Sequence, residues 1–398
     1  MTTTNFLDVE VTTKNKGHPF TPENKLISYA YAINDDPVLF KYCTDPDFND
    51  DSLKPNDSDF EYVGFHIKYD LHWLLRTGRI TIQELLPVRI WCCQLAEFVL
   101  NNQQGAFLSL DEALASYGLE QKKDIVKEYW EQGIDTDKIP VPILQEYNSW
   151  DVQQTRELYK CQQFLLTEKQ KNLVYLLGED LKTLLSAEAN GIKWDEDKAN
   201  EKSEILKQKI KDDTERLSTY LPTINHGEFN WDSGDHLSVF LYGGVIDFDY
   251  VVSEDAVYKS GPNKGQSYVK NRHFTESVVF PGFFKPLDRT ELKKTKGMEN
   301  VRTRYYKTDE PTLLSLSARS NVKREIIATI IARAENIKIL EMIVSIQKKR
   351  DTLGWTNNYI HAQFNQNVVI TGRLSSSNPN MQNTPLAVDE LLISAYAS

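Results

Sequence analysis

The sequence predicts an α/β protein that opens on a mixed sheet and continues into a mainly helical region. Three observations carry this. Strand-like runs follow one another at 5–11, 26–33 and 38–44, the last two separated by the turn-forming Asn34-Asp35-Asp36-Pro37. Strand and helix signals then alternate to about residue 168, the pattern of an α/β layer. From Leu173 the texture changes to long, charged helical segments.

At 398 residues, the chain has room for two or three domains, and 40% hydrophobic with 26% charged residues is ordinary for a globular protein. The four cysteines (Cys43, Cys92, Cys93 and Cys161) show neither disulfide nor metal spacing, which points to a reducing cytoplasm. MTTTNFLDVE lacks the basic-then-apolar pattern of a secretory signal, and no apolar run is long enough to span a membrane. The net charge of −11 argues against a nucleic-acid partner until its distribution is considered. Residues 1–151 hold 25 acidic and 13 basic groups, whereas residues 285–350 hold 16 basic and 8 acidic. An acidic first domain is therefore followed by an element able to track phosphates.

The elements run in order. In the first strand Asp8 and Glu10 share a face, with Leu7, Val9 and Val11 pointing into a core. Residues 45–61 form an acidic loop, 62–67 a short strand, and 68–77 a helix that buries Leu71, Leu74 and Leu75 and carries Asp70 in its first turn. A strand at 88–91 precedes a helix at 94–101, and Ser109-Leu110-Asp111-Glu112 has the form of a helix cap. A long helix spans 145–168 and sets Tyr147 and Asp151 on one face, four residues apart. Helices follow at 173–190 and 195–221. Residues 253–308 show no clear period and are expected to be loops and short strands. Helix returns at 313–316 and 323–350, and the last ~40 residues, dense in Asn, Ser, Gly and Pro, are loop and strand.

Two adjacent carboxylates repel unless a cation lies between them, and hard divalent ions take oxygen ligands. Asp8-Val9-Glu10, Asp70 at the end of GFHIKYD (64–70), and Tyr147-Asn148-Ser149-Trp150-Asp151 together resemble the three motifs of DEDD-type 3′–5′ exonucleases. They match the subclass with tyrosine four residues before the last aspartate, since Glu146 stands where the other subclass has histidine. Further on, TGRLSSSNPNMQN (371–383) resembles the segment that opens the palm of family A DNA polymerases. Phe229 to Ser233, Leu241 to Gly244, and Arg333 with Lys338 resemble that family's thumb. The likeness is to the bacteriophage type.

The resemblance implies a ribonuclease H-like exonuclease domain at 1–170, a thumb-like helical region at 171–355, and the start of a palm at 356–398. It implies a proofreading exonuclease using two Mg²⁺ ions, with Mn²⁺ as substitute: Asp8, Glu10 and Asp151 on the ion that activates water, Asp8 and Asp70 on the ion at the leaving oxygen, and Tyr147 orienting the water. DNA is the implied partner, as a single-stranded 3′ end and as primer–template duplex. Arg333, Lys338, Thr371, Arg373, Asn380, Gln382 and Asn383 are the implied DNA contacts. His66 stands where the family has Asn, and either donates to substrate or to a metal-bound water, or packs. Residues 386–398 do not resemble the family's continuation, so polymerisation is not expected from this chain alone, and a second chain would carry the rest of the palm and the fingers. A non-catalytic DNA-binding or assembly fragment of a split polymerase is the competing reading. Intact Asp8, Glu10, Asp70, Tyr147 and Asp151 speak against it.

Overall fold

The computed structural model describes residues 2–43, 52–55, 59–104, 108–120, 125–257, 259–263, 265–286, 305–355 and 358–393. The chain divides into two compact units, one of residues 1–199 with 342–398 and one of residues 200–341. Residues 171–199 and 342–355, which the sequence groups with the thumb-like region, fall in the first unit.

The first unit starts with β1 (Thr3–Val11), β2 (Leu26–Ile33), β3 (Leu39–Tyr42) and β4 (Phe60–Gly64). Then come α1 (Ile67–Arg76), α2 (Ile82–Leu85), β5 (Arg89–Cys92), α3 (Cys93–Leu100), α4 (Leu110–Ser116) and α5 (Ile125–Glu131). The long helices α6 (Val141–Leu165) and α7 (Glu168–Asn190) follow, then β6 (Ile192–Trp194). The five-stranded sheet has the order β3-β2-β1-β4-β5, antiparallel through β3, β2 and β1 and parallel through β1, β4 and β5. It is the mixed sheet that the sequence predicts.

Alternation along β1 sorts its side chains between two cores. Leu7, Val9 and Val11 join Leu71 and Leu74 of α1 and Leu181 and Leu185 of α7. Phe6 joins Ala30, Ala32, Trp91 and the α6 residues Val152 and Leu158 on the other face. The parallel pairing of β1 with β4 stops at Phe6 and Val63, so Asp8 and Glu10 lie beyond it. Loose ends of this kind, past the carboxyl ends of parallel strands, are where open α/β sheets place their sites.

The boundary between the two long helices differs from the sequence expectation of a helix to 168 and another from 173. Thr167 ends the first and caps the second: its hydroxyl accepts from the Gln170 N–H while the Gln170 side chain accepts from the Thr167 N–H. Two successive good helix formers hid a capping box that sits in plain view as T-E-K-Q.

In the second unit, the body of α8 (Glu196–Ser218) precedes α9 (Gly234–Tyr242), β7 (Gly244–Val257), β8 (Ser267–Phe280), α10 (Glu310–Ser315) and α11 (Asn321–Leu353). Leu217, Trp231, Phe240, Phe284, Leu313 and Ile326 centre its core. Residues 253–280 correct the expectation of loops and short strands, because β7 and β8 pair in one antiparallel ribbon from Gly244↔Phe280 to Val257↔Ser267. The ribbon buries Ile246, Phe248, Val278 and Phe280 at its base only. Farther out both faces meet solvent, so no alternation marks the strands. Residues 287–304 of the basic stretch lie outside the described residues.

The chain then returns to the first unit with β9 (Tyr359–Ile360), β10 (Gln363–Asn365), β11 (Ser375–Ser377), α12 (Leu386–Asp389) and β12 (Leu392–Ile393). β12, β6 and β9 make a small sheet, and β10 pairs with β11. Loop and short strand are what the Asn-, Ser- and Gly-rich sequence predicts here, and the short helix α12 departs from it.

Candidate active site

Three elements bring the acidic residues into one neighbourhood. β1 supplies Asp8 and Glu10, the first turn of α1 supplies Asp70, and α6 supplies Tyr147 and Asp151 one turn apart. Asp8, Asp70, Tyr147 and Asp151 line an open cleft of about 260 Å³ with Phe65, His66, Tyr69, Ser109 and Asp111. Asp8, Glu10 and Asp151 each place a carboxylate oxygen within 4.8 Å of the others. The donor set is all oxygen and all acidic, which suits a hard divalent cation such as Mg²⁺ or Mn²⁺. Asp70 lines the same cleft without joining that trio.

The electrostatics of the cleft follow from its crowding. Asp70 is 5% exposed, and burial pushes its carboxyl up to about 8. The Val9 N–H, which donates to it, pulls the other way, and the charge of Asp151 raises it further.

His66 occupies the position just before α1 and reaches the cleft. Its Nδ1 lies 2.9 Å from Gln94 Oε1. Gln94 Nε2 donates to the Leu108 carbonyl, and Asn367 Nδ2 donates to the same Oε1, so that oxygen is an acceptor. The bond therefore assigns the proton to His66 Nδ1 and leaves Nε2 as an acceptor in the neutral ring. Burial lowers the His66 pKa, opposed by the Gln94 bond and aided by the charge of Lys68. The Gln94 bond satisfies one ring nitrogen, and in the neutral ring the other, Nε2, is an acceptor.

Sequence reasoning gave Asn148 no role beyond its place in the motif. It is fully buried, and its Nδ2 donates to Asp8 Oδ2 at 2.6 Å. Phe65, Tyr69 and Asp111 also line the cleft without having been singled out. Phe65 and Tyr69 lie within the 64–70 motif, whereas Asp111 arrives in the first turn of α4, inside the Ser109–Glu112 capping box.

Behind α1, Lys68 and His72 project one turn apart, away from Asp70. Buried Glu188 of α7 accepts from Lys68 Nζ at 2.6 Å, His72 Nε2 at 2.7 Å and the Phe364 N–H at 2.7 Å. Burial pushes the Glu188 carboxyl up, but the His72 bond and the Lys68 charge outweigh it and hold the group below its ordinary value. Lys68 also donates to the Phe364 carbonyl. The helix that carries Asp70 is thus pinned to α7 and to the 359–367 segment.

The candidate DNA contacts separate into two kinds. In the second unit Arg333 is spent internally: Nε donates to Thr214 Oγ1 at 2.8 Å and Nη1 pairs with Asp232 at 2.8 Å. Lys338, five residues on, is exposed. In the first unit Thr371, Arg373, Asn380, Gln382 and Asn383 are all exposed. Among the described residues no helix is long and apolar enough to cross a membrane.

Known proteins resemble this chain at two levels. Residues 283–392, which contain TGRLSSSNPNMQN, match the family model for DNA polymerase family A. A DNA polymerase I from Synechocystis sp. is 36% identical over 106 residues, covering 26% of this chain and 9% of that protein. The solved POL domain of Pol1 from M. smegmatis, in complex with DNA primer-template and dNTP, aligns with a TM-score of 0.65 at 16% identity. That alignment covers 100% of this chain and 56% of the solved one, so the chain spans little more than half of its structural neighbour. At this identity the likeness is one of fold.

Proposed function

We propose that this chain, related to the family A DNA polymerases through residues 283–392, is a 3′–5′ exonuclease that removes nucleotides from DNA 3′ ends in a proofreading role. One observation carries the reading: Asp8 and Glu10 of β1 and the sequence-distant Asp151 of α6 bring their carboxylate oxygens within 4.8 Å of one another. Asp70 and Tyr147 line the same cleft, in the chain order of the DEDD-type motifs. Bound divalent ions would supply an activated water and neutralise the scissile phosphate.

The chain's own residues do the remainder. Asp8, Glu10 and Asp151 hold positive charge at the end of β1, and Asp70 completes the acidic wall. Tyr147 orients the attacking water by a hydrogen bond to its hydroxyl. His66 offers Nε2 as an acceptor to a donor on the nucleotide or on that water. Exposed Arg373, Asn380, Gln382 and Asn383 suit contact with the minor groove of a primer–template duplex, where readout is degenerate and any sequence is accepted. Thr371 and Lys338 suit phosphate contacts, which position the duplex without reading it. The proposed organisation is the exonuclease domain at 1–170, a thumb-like region at 171–355 and a palm segment at 356–398.

Direction and metal dependence test the reading together. A single strand labelled at its 5′ end should give a ladder shortening one nucleotide at a time when Mg²⁺ is present, and stay intact with chelator. The same strand labelled at its 3′ end should release its label as mononucleotide in the first step. Release of the 5′ label as mononucleotide, or unchanged cleavage in chelator, rules the assignment out.

A further inference from the structure

One member of the acidic trio, Asp8, accepts a hydrogen bond from a residue that has no charge of its own. Asn148 is fully buried on α6, three residues before Asp151, and donates its amide N–H to Asp8 Oδ2 at 2.6 Å. Because an ionised carboxylate only accepts, this contact fixes which end of the amide faces Asp8. The other end, Oδ1, lies 3.5 Å from Ser28 Oγ. Ser28 is itself fully buried on β2, directly opposite Glu10 across the β1–β2 pairing. Asn148 therefore spans the junction between helix and sheet that also sets how far Asp151 stands from Asp8 and Glu10.

We propose that Asn148 is a positioning residue: it locks the Asp8 carboxylate in its ligating orientation and thereby sets the affinity of the Asp8–Glu10–Asp151 cluster for a divalent cation. This rests on the reading of that cluster as a metal site. The physical case has two parts. Three carboxylates whose oxygens lie within 4.8 Å repel one another when no cation is bound, so an unrestrained Asp8 side chain would swing away. A lysine or arginine here would hold Asp8 too, but would cancel the negative charge that attracts the ion. A neutral amide holds the carboxylate by one oxygen, leaves the cluster's charge intact and leaves other lone pairs for the metal. Partners that orient a ligand in this way contribute to affinity nearly as the ligands do.

A purely structural role, an amide completing a buried core, predicts a loss of stability and no change in metal affinity once the protein is folded. The two are separated by titrating the whole chain with Mn²⁺ and no DNA, reading free Mn²⁺ by its electron paramagnetic resonance signal. Asn148→Leu keeps the volume and removes the amide. Asn148→Ser shortens the side chain and replaces the amide with a hydroxyl, and carries the test should leucine disturb the core. Both variants are expected to bind Mn²⁺ ~10–100-fold more weakly than the parent, at unchanged stoichiometry and with the parent's circular dichroism. Asp8→Ala, the control for the site itself, is expected to lose that binding. Parent-like Mn²⁺ affinity in folded Asn148→Leu or Asn148→Ser, while Asp8→Ala loses binding, overturns the role of Asn148 and spares the metal site. Mn²⁺ binding unaffected by Asp8→Ala overturns the metal site, and the role of Asn148 with it.

Discussion

His18 has an environment that admits only the neutral ring. Its Nδ1 accepts from the Phe20 N–H at 3.2 Å, and the ring is buried against Trp355 and Phe20. Burial first, then the nearby His361 and His72, lower its pKa from 6.5 to about 4. The unfolded chain therefore binds a proton between those limits that the folded chain refuses. The stability this group contributes is present above pH 6.5 and drains away as pH falls toward 4. A shift of that size is worth roughly 3 kcal/mol when fully expressed. His72 and His361 are lowered by burial as well and add to the same slope. Thermal unfolding should occur at a lower temperature at about pH 5 than at about pH 7, and His18→Gln should flatten the dependence. An equal slope in His18→Gln would show that other groups carry it.

His66 and Asn148 mark the limit of what residues disclose by themselves. The motif letters pointed to Asp8, Glu10, Asp70, Tyr147 and Asp151, and all five reach one neighbourhood, Glu10 through the trio and the others through the cleft. The partners that fix orientation were illegible, because Gln94 is 28 residues from His66 and Asn148 is 140 residues from Asp8. Long-range ¹H–¹⁵N spectra of the His66 ring should show a protonated Nδ1 and an acceptor Nε2 at neutral pH, and lose that preference in Gln94→Leu. A ring protonated at Nε2 in the parent would reverse its polarity toward the cleft.

At the scale of elements, periodicity carried far where one face is buried and failed where none is. α1 was readable from its apolar stripe and β1 from the alternation of its side chains; the β7–β8 ribbon was not, since its outer length buries neither face. Packing of α7 on the sheet rests on one small residue. A Cβ at Gly178 would lie 2.3 Å from the Ile90 carbonyl oxygen on β5, a contact with backbone that cannot move aside. Gly178→Ala should destabilise the chain by ~1–3 kcal/mol, read by denaturant unfolding, with wild-type stability contradicting the close approach. On α11 two cations should behave differently. Lys338→Ala should lower the salt dependence of duplex binding by about one charge and leave the unfolding temperature alone. Arg333→Ala, which strands Asp232 and Thr214, should chiefly lower the unfolding temperature. The reverse pattern would exchange their roles.

For the molecule as a whole, the charge asymmetry read from sequence and the acidic cleft give complementary expectations about substrate. A frayed single strand can bring its terminal phosphodiester into an open acidic cleft of this kind, whereas a paired end must first unpair. Single-stranded and mismatched 3′ ends should therefore be cut faster than paired ones, with the ratio set by an unpairing cost of a few kcal/mol. Equal rates on blunt duplex and single strand would contradict a proofreading role. The central claim is that Asp8, Glu10 and Asp151 form one hydrolytic metal centre. Its most direct measurement is the rate of nucleotide release from a single-stranded 3′ end by the whole chain in Mn²⁺ or Mg²⁺, for the parent, Asp8→Ala and Asp151→Ala. The expected result is that each substitution slows release at least ~100-fold while duplex binding is unchanged. Release at the parent's rate in either variant would contradict it.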